Sequence, residues 1–347
     1  MAAVAVSVFA CGPTAPPSWH EEQGYRWREL TVATGGDAGF TSLDGRSTGI
    51  RFQNAVSDSA LRRNRVLGQG AGIALGDVDG DGLVDVFLAK TEGCSALYRN
   101  RGGWKFEDVT RAARVGACDR FTTGVAFADV DGDGDLDLPL VATRGPNAVF
   151  LNDGKGHFTE RRDLGVDSTG KGGATLAFAD VDGNGTLDLY VANYRPYVIE
   201  DSVPPQQRAF SQMVRQTGPN QYEVVPQFRS EYKLVMRPDM GGLRLSARGA
   251  TDDFYVNTGG RFERVTMASN RFREPNGTPL AEEPESFTLG ARFADLDGDG
   301  APDLYVANDF EDTDQLWYND GQALSDSPTG RRSGKPATRP WASTSAT

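Results

Sequence analysis

The chain has 347 residues, of which 42 are glycine and 24% are charged, and its formal net charge is -12. This composition is typical of a soluble, turn-rich protein. Nucleic-acid binding is disfavoured, although the net charge is not itself a signal for a partner, because bound divalent ions would offset part of it. The sequence contains no apolar run long enough to span a membrane.

The first predicted element is an export segment with a Pro-rich tether at residues 1–26. The apolar stretch "MAAVAVSVFAC" ends at Cys11, and "GPTAPPSW" follows it. It resembles the end of a bacterial lipoprotein signal, in which Cys11 carries the lipid anchor. No Lys or Arg precedes the apolar run, and the alternative is a frayed terminus. We expect an extracytoplasmic protein, secreted or lipid-anchored at the periplasm or the cell surface.

Four acidic loops recur within residues 27–321, each with Asp at positions 1, 3 and 9. They read "DVDGDGLVD" from Asp77, "DVDGDGDLD" from Asp129, "DVDGNGTLD" from Asp180 and "DLDGDGAPD" from Asp295. Short apolar runs bounded by glycine-rich turns lie on both sides of each loop, which predicts that the loop joins two strands. The first three loops begin 52 and 51 residues apart.

A second signature follows each loop and supplies two more strands around an Asn/Gly turn. It lies 23 residues after Asp77 at Asn100, and again 23 residues after Asp129 at Asn152. A period near 50 residues with four strands per unit predicts an all-β fold, a β-propeller of four-stranded blades. The stretch "WRELT" at residues 27–31 matches the closing "FEDVT" of the first unit, so we expect it to be the last strand of a blade.

The loop pattern predicts calcium sites. In a D-x-[DN]-x-[DN]-G loop, side-chain oxygens at positions 1, 3, 5 and 9 and the carbonyl at position 7 converge, and the glycine at position 6 permits the sharp turn. Hard oxygen ligands in a flexible cage favour Ca²⁺ over Mg²⁺. The assigned ligands are Asp77, Asp79, Asp81, Leu83 and Asp85; Asp129, Asp131, Asp133, Asp135 and Asp137; Asp180, Asp182, Asn184, Thr186 and Asp188; and Asp295, Asp297, Asp299, Ala301 and Asp303.

Up to four Ca²⁺ ions are therefore expected. The third loop has one carboxylate fewer than the others, so we expect it to be the weakest site. The alternative is a hydrated acidic turn without a metal. These loops are not EF-hands, because position 12 is apolar and lies within predicted strands. The residues at that position are Leu88, Leu140, Val191 and Val306.

The units "FADVDGDG" and "LYxNxGxF" resemble FG-GAP/VCBS repeats over roughly residues 27–321. The stretches "LYVANYR" and "NRVLGQGAGIALGDVDGDG" are more narrowly similar to the bacterial relatives of cartilage acidic protein, which are associated with an ASPIC/UnbV segment. The resemblance implies a seven-bladed calcium-binding propeller that serves recognition or adhesion, with no catalytic residues to carry over. This chain shows four motif units, so we expect four to five blades and an incompletely closed ring.

The third unit carries an insertion at residues 194–250, which has eight Lys/Arg against five acids and several aromatic side chains. Arg combined with aromatics suits a surface protein or an anionic glycan. The alternative is a structural flap over a neighbouring blade. Deletion of the segment separates the two, since only the flap interpretation predicts unfolding.

Three cysteines are present, and Cys94 and Cys118 lie 24 residues apart within one blade. A disulfide between them fits an oxidising compartment, and two free thiols are the alternative.

After Gly321 the repeat pattern fails, so residues 322–347 are predicted to be disordered or frameshifted, and the last unit to lack its closing strand.

Catalysis finds no support in the sequence. The only histidines are His20, in the predicted tether, and His157, in a blade turn, and neither has the setting of a general base or a zinc ligand. We therefore predict a non-catalytic, calcium-binding recognition or adhesion protein. The alternatives are a propeller enzyme that acts on polysaccharide and a scaffold for the assembly of exported proteins.

Overall fold

The computed structural model describes residues 20–22, 25–27, 39–166, 170–238, 241–269, 271–309, 312–321 and 323–326. The chain separates into two units, Met1–Leu43 and Asp44–Thr347. In the first unit, β1 (His20–Glu22) and β2 (Tyr25–Trp27) pair as an antiparallel hairpin. The predicted lipid anchor at Cys11 and residues 28–31 of "WRELT" lie outside the described residues, so both remain predictions.

The second unit opens with short helices, each started by a polar cap. They are α1 (Gly45–Thr48), α2 (Asp58–Arg63) and a 3-10 helix (Arg65–Gln69). Ser57 caps α2 by accepting a hydrogen bond from the Ala60 amide at 3.2 Å, which satisfies one of the free donors of the first turn. Among the described residues, no helix is long and apolar enough to cross a membrane.

Blades 1 and 2 are complete four-stranded antiparallel sheets, each in simple sequence order. Blade 1 contains β3 (Ile73–Gly76), β4 (Asp85–Leu88), β5 (Ala96–Asn100) and β6 (Phe106–Asp108). After α3 (Thr110–Ala113), blade 2 contains β7 (Phe121–Val125), β8 (Leu138–Arg144), β9 (Ala148–Asn152) and β10 (Phe158–Arg161). A disulfide joins Cys94 and Cys118, with the sulfurs 2.04 Å apart, which confirms the pairing and excludes free thiols.

Blade 3 begins with β11 (Gly173–Ala179) and β12 (Asp188–Asn193) and is then interrupted. The insertion contains the 3-10 helices Ile199–Asp201, Pro205–Arg208 and Pro226–Phe228, the helix α4 (Phe210–Met213), and the strands β13 (Val214–Gly218), β14 (Gln221–Val224), β15 (Tyr232–Arg237), β16 (Gly242–Ala247) and β17 (Ala250–Thr251). It has a small core of its own, which consists of Ile199, Met213, Val214, Val224 and Phe228. The insertion is therefore a folded elaboration of blade 3.

Blade 3 is completed by β18 (Asp253–Thr258) and β19 (Arg261–Val265). Next come the short strands β20 (Phe272–Arg273) and β21 (Glu285–Ser286). Blade 4 then contains β22 (Thr288–Ala294), β23 (Asp303–Asn308), β24 (Gln315–Asn319) and β25 (Leu324–Asp326). The strand β20 adds to β25 in parallel as a fifth strand, and β21 pairs with β17.

The strand β25 corrects two sequence predictions. The last unit has its closing strand, and disorder from residue 322 onward was wrong for residues 324–326. The segment shows no apolar alternation, but Leu324 is buried in the cluster that contains Phe272 and Trp317, and β25 pairs with both β20 and β24. Residues 327–347, including most of the predicted frameshifted tail, lie outside the described part of the chain.

Successive blades pack face to face through apolar side chains. One cluster joins blades 1 and 2 around Phe87 and Leu138, and another joins blades 2 and 3 around Val141 and Leu189. A third joins blades 3 and 4 around Tyr190. Because both faces of an interior blade are covered, its central strands read as continuous apolar runs instead of alternating ones. The chain therefore has an all-β fold of four-stranded blades, as predicted.

Candidate metal sites

Each acidic loop connects the first and second strands of its blade. Loop 1 lies between β3 and β4, and loop 2 lies between β7 and β8. Loop 3 lies between β11 and β12, and loop 4 lies between β22 and β23. Position 12 of every loop falls inside the second strand, as the sequence predicted. The loops are thus held between paired strands at equivalent places in the four blades.

The aspartate at position 9 is the fixed point of each loop. Its four copies, Asp85, Asp137, Asp188 and Asp303, are completely buried. In blade 2, Asp137 Oδ2 accepts from the Val130 amide at 3.0 Å and Oδ1 accepts from the Asn152 amide at 2.9 Å. The same two bonds recur in the other blades at 2.8 to 3.0 Å. This carboxylate therefore joins the loop to the third strand of the same blade.

The remaining loop positions are set by local hydrogen bonds. In loop 2, Asp129 accepts from the Gly132 amide at 2.8 Å and the Gly134 amide at 3.0 Å, and Asp133 accepts from the Asp135 amide at 2.9 Å. Position 7 makes the equivalent bond to position 5 in the other loops. Its residues there are Leu83, Thr186 and Ala301, which donate to Asp81, Asn184 and Asp299. The backbone thus orients the carboxylates before any metal binds.

Oxygens from three carboxylates converge within 4.8 Å in every loop. The groups are Asp77, Asp79 and Asp85; Asp129, Asp131 and Asp137; Asp180, Asp182 and Asp188; and Asp295, Asp297 and Asp299. Loops 1 to 3 thus bring positions 1, 3 and 9 together and leave Asp81 and Asp133 outside the group. Loop 4 instead brings positions 1, 3 and 5 together and leaves Asp303 outside it.

One unsatisfied oxygen recurs at position 3 of the first three loops. The Oδ1 atoms of Asp79, Asp131 and Asp182 are buried and have no hydrogen-bond partner among the described residues. A buried carboxylate oxygen without a partner is costly, and protein interiors rarely leave one. A divalent cation coordinated by these oxygens would remove that cost, so the donor set fits a hard metal ion.

Burial also raises the pKa of several carboxyl groups in the enclosed loops. Burial raises the pKa of Asp137 and of Asp188 to about 6, against the opposing effect of their backbone hydrogen bonds. Burial, together with the neighbouring Asp133 carboxylate, also raises the pKa of Asp131. A bound cation would favour the charged forms and reverse these shifts.

The first three loops are covered by side chains or turns from other parts of the repeat array. Arg271 Nη2 lies 3.0 Å from Asp182 in loop 3. Over loop 1 lies the turn of blade 2, where a Cβ on Gly156 would be 3.6 Å from Asp79 Cβ, and Arg99 of blade 1 itself forms an ion pair with Asp79. Over loop 2, the turn of blade 3 approaches so closely that a Cβ on Gly260 would lie 2.8 Å from Asp131 Cβ. A glycine is therefore required there by both space and its positive φ of 85°.

Loop 4 lacks this cover. Its three converging carboxylates, from Asp295, Asp297 and Asp299, are all exposed. Leu296, at position 2, is 53% exposed, whereas the equivalent Val130 in loop 2 is 1% exposed. The four loops are similar in sequence but differ in how far the next blade encloses them.

The asparagine of the second signature is a structural residue that the sequence analysis used only as a spacing marker. Asn152 Nδ2 donates to the carbonyl of Val78 in loop 1 at 2.8 Å and to that of Leu136 in loop 2 at 3.1 Å. Asn257 and Asn319 make the same pair of bonds one blade further along. Each of these side chains connects its own loop to the preceding one. The available signal was its spacing of 23 or 24 residues after the acidic loop in blades 1, 2 and 4.

The predicted partner residues in the insertion divide into two groups. Tyr197, Phe210 and Tyr222 are exposed, whereas Phe228 and Tyr194 are buried. Many of its basic side chains are paired with acids, in Arg208–Glu200, Arg215–Glu223, Arg229–Glu223 and Arg248–Glu285. His157, outside the insertion, is exposed and lies 3.2 Å from the exposed carboxylate of Asp153.

Parts of this chain are similar to known proteins. The family profile of the FG-GAP-like repeat matches residues 77–138 and 140–191. Cartilage acidic protein 1 of Xenopus tropicalis is 27% identical over 146 residues, which cover 42% of this chain and 22% of that protein. The mouse protein of the same name (Mus musculus) is 27% identical over 126 residues, covering 36% of this chain and 20% of its own length. The chain thus spans about a fifth of the curated relatives it matches.

Two solved structures have low sequence identity and low structural similarity to this chain. The V. cholerae biofilm matrix protein Bap1 is 14% identical with a TM-score of 0.31, and the match covers 74% of this chain and 38% of Bap1. The GH43_1 enzyme from Xanthomonas citri, solved with xylose, is 13% identical with a TM-score of 0.36, covering 76% of this chain and 78% of the enzyme. Neither similarity identifies a function or a shared site.

Proposed function

This chain is an FG-GAP repeat protein, and from that premise we propose that it is a calcium-stabilised, non-catalytic recognition or adhesion protein that acts outside the cytoplasm. The observation that carries the calcium assignment is the buried, unpartnered Oδ1 atom at position 3 of three loops. Extracellular calcium modules typically have dissociation constants of about 10⁻⁴ to 10⁻³ M, so such sites fill outside a cell and stay largely empty in cytosol. The proposed secretion or lipidation at Cys11 agrees with this requirement.

Loops 1 to 3 are the proposed principal sites. Each supplies carboxylates from positions 1, 3 and 9, while positions 5 and 7 complete the cage through a side chain and a carbonyl. We propose that loop 4 is the weakest site, in place of loop 3, because its carboxylates are exposed and a solvated carboxylate gains less from a cation than a buried one. When bound, calcium supplies charge neutralisation and cross-linking of each loop, not acid or base chemistry.

A thermal melt with calcium, magnesium or chelator tests the proposal. We expect calcium to raise the melting temperature more than magnesium, because a ligand at a hundred times its dissociation constant adds about 2.7 kcal/mol per site. Isothermal titration should then report at least three sites of similar affinity. Identical melting curves in calcium and chelator would overturn the calcium assignment.

We propose that the partner is a surface protein or an anionic glycan that contacts the exposed aromatic side chains of the insertion. Phe210 is 47% exposed and Tyr222 is 43% exposed, and both project from a segment that has its own core. Loops and insertions on a rigid scaffold commonly carry binding. Because many of the arginines are already paired with acids, the aromatic rings are the more available contacts.

Heparin serves as an anionic-glycan probe for this surface, with neutral dextran as its control. Phe210→Ala combined with Tyr222→Ala should weaken heparin binding in calcium by about fivefold, or about 1 kcal/mol. Met236→Ala is the matched control, since Met236 is an exposed apolar residue of the same insertion. Equal binding by all three proteins would exclude the aromatic surface, and no binding by the unmodified chain would exclude the glycan in favour of a protein partner.

A further inference from the structure

The last blade exposes a face that every earlier blade buries. At position 2 of the acidic loop, Val78, Val130 and Val181 are 4%, 1% and 5% exposed. Their equivalent in blade 4, Leu296, is 53% exposed. The first three are covered by the following blade, and Leu296 has an apolar side chain of the same kind without such cover.

A second position on this face gives the same result. Phe87 in blade 1 and Tyr190 in blade 3 are both 0% exposed, and each packs into the cluster shared with the following blade. The corresponding residue of β23, Tyr305, is 38% exposed. The exposed face of blade 4 therefore retains the apolar character of an inter-blade surface.

The first blade exposes the opposite face. Ile73 and Leu75 in β3, four and two residues before the acidic loop, are each 63% exposed. Their equivalents in the later blades pack into the cluster shared with the preceding blade; these are Val125 and Phe127, Leu176 and Phe178, and Ala291 and Phe293. Blade 1 thus presents the surface that blades 2, 3 and 4 each press against a preceding blade.

The two end faces also carry the two halves of the repeated hydrogen bond. Asn152, Asn257 and Asn319 each donate to the position 2 carbonyl of the preceding loop, at 2.8 to 2.9 Å. Asn100 in blade 1 donates to the Val84 carbonyl of its own blade at 2.9 Å, and no preceding acidic loop exists in the described chain. In blade 4 the position 2 carbonyl belongs to Leu296, and it is placed to accept a hydrogen bond from the asparagine of a following blade.

From these observations we propose that two copies of this chain associate head to tail, with blade 4 of one copy packed against blade 1 of the other. Leu296 of the partner subunit would lie against Ile73 and Leu75, and its carbonyl would accept a hydrogen bond from Asn100 Nδ2. The junction repeats the three inter-blade junctions already present within one copy. The partner is therefore a second copy of this chain. The exposed face of blade 4 corresponds to the faces that pack against a following blade, and the exposed face of blade 1 corresponds to the faces that pack against a preceding blade. The interface is heterologous, since different surfaces of the two copies meet.

Light scattering after size-exclusion chromatography in millimolar calcium tests the proposal. The unmodified chain should show a concentration-dependent mass of twice 37.4 kDa or more. Leu75→Asp and Leu296→Asp should each weaken association by about tenfold or more, because each places a carboxylate in an apolar junction. Both positions are exposed in the single chain, so the variants should fold, and far-UV circular dichroism checks this.

Mixing the two variants distinguishes a head-to-tail junction from other contacts. The Leu75→Asp variant keeps an intact blade 4 face and the Leu296→Asp variant keeps an intact blade 1 face, so the mixture should form dimers that neither variant forms alone. Met236→Asp, which changes an equally exposed apolar residue of the insertion, should associate like the unmodified chain. The proposal is overturned if the unmodified chain is monomeric at every concentration, which is also the result expected if its own terminal segments cover these faces. It is equally overturned if association survives both end-face variants.

Discussion

Loops 2 and 4 have nearly the same acidic sequence and very different surroundings. In loop 2 the turn of blade 3 lies directly on Asp131, and position 2 is 1% exposed. In loop 4 the converging carboxylates are exposed to solvent, and Leu296 at position 2 is 53% exposed. The neighbouring blade therefore completes a metal loop, because its packing buries the acidic turn and leaves a carboxylate oxygen without a hydrogen-bond partner.

We expect the largest loss of stability on removing the disulfide of blade 1. Blade 1 is cross-linked by Cys94–Cys118, which closes a loop of 24 residues. Replacing both cysteines by serine should lower the free energy of unfolding by about 3 kcal/mol, as expected for a loop of this size. Urea unfolding monitored by circular dichroism measures the loss. If the double variant unfolds at the same urea concentration, blade 1 does not depend on its cross-link.

The next effect compares an interior asparagine with an end asparagine. Asn152→Ala removes donors to loops 1 and 2 and leaves the buried Val78 carbonyl and the partly buried Leu136 carbonyl without this partner, so it should cost about 2 kcal/mol. Asn100→Ala removes only bonds within its own blade, to the exposed Val84 carbonyl and from the Gly102 amide, and should cost less, about 1 kcal/mol. Urea unfolding of the two variants side by side makes the comparison. Equal losses would show that the inter-blade bond contributes nothing beyond the local one.

The enclosed loops should also make calcium binding depend on pH. Burial raises the pKa of Asp137 and Asp188 to about 6, so in the metal-free protein their protonation stabilises the fold at low pH. That contribution is fully present below the unfolded pKa near 3.8 and is lost as pH rises through about 6. Calcium requires the ionised form, so its affinity at loops 2 and 3 should fall about tenfold between pH 7.5 and pH 5.

Isothermal titration with calcium at the two pH values checks this expectation, while metal-free melts over the same range check the opposite trend in stability. An affinity that does not change with pH would mean that these buried carboxyl groups are already ionised before calcium arrives.

The smallest effect is the difference between two matched position 3 variants. Asp131→Asn should reduce the stabilisation by calcium by about 1 kcal/mol, and Asp297→Asn should reduce it by less. In chelator, Asp131→Asn should be neutral or stabilising, because it removes a carboxylate whose pKa is already raised by burial and by Asp133. Differential scanning calorimetry with and without calcium resolves both. If the two variants respond alike, enclosure by the next blade does not set site strength.

Local sequence patterns determined the repeat, the strand positions and the loop residues, because ligand spacing and the turn glycines act within nine residues. For Cys94 and Cys118 the sequence left a disulfide and two free thiols as alternatives, and the structure contains the disulfide. The closing strand β25 was missed because a short segment with one buried leucine has no periodic signal. Its position is fixed by contacts with Phe272 and Trp317, not by its own pattern.

Tertiary structure alone decided which loops are enclosed and what the second-signature asparagines do. Asn257 reaches a carbonyl 127 residues away, and the cover over Asp131 comes from Gly260 in the next blade. The same holds for the insertion, where burial of Phe228 and exposure of Phe210 depend on how the segment folds on itself. The spacing of aspartates and glycines along the chain determines which residues can form an acidic loop. Only packing between blades decides how much water each loop keeps, and therefore how strongly its carboxylates require a cation.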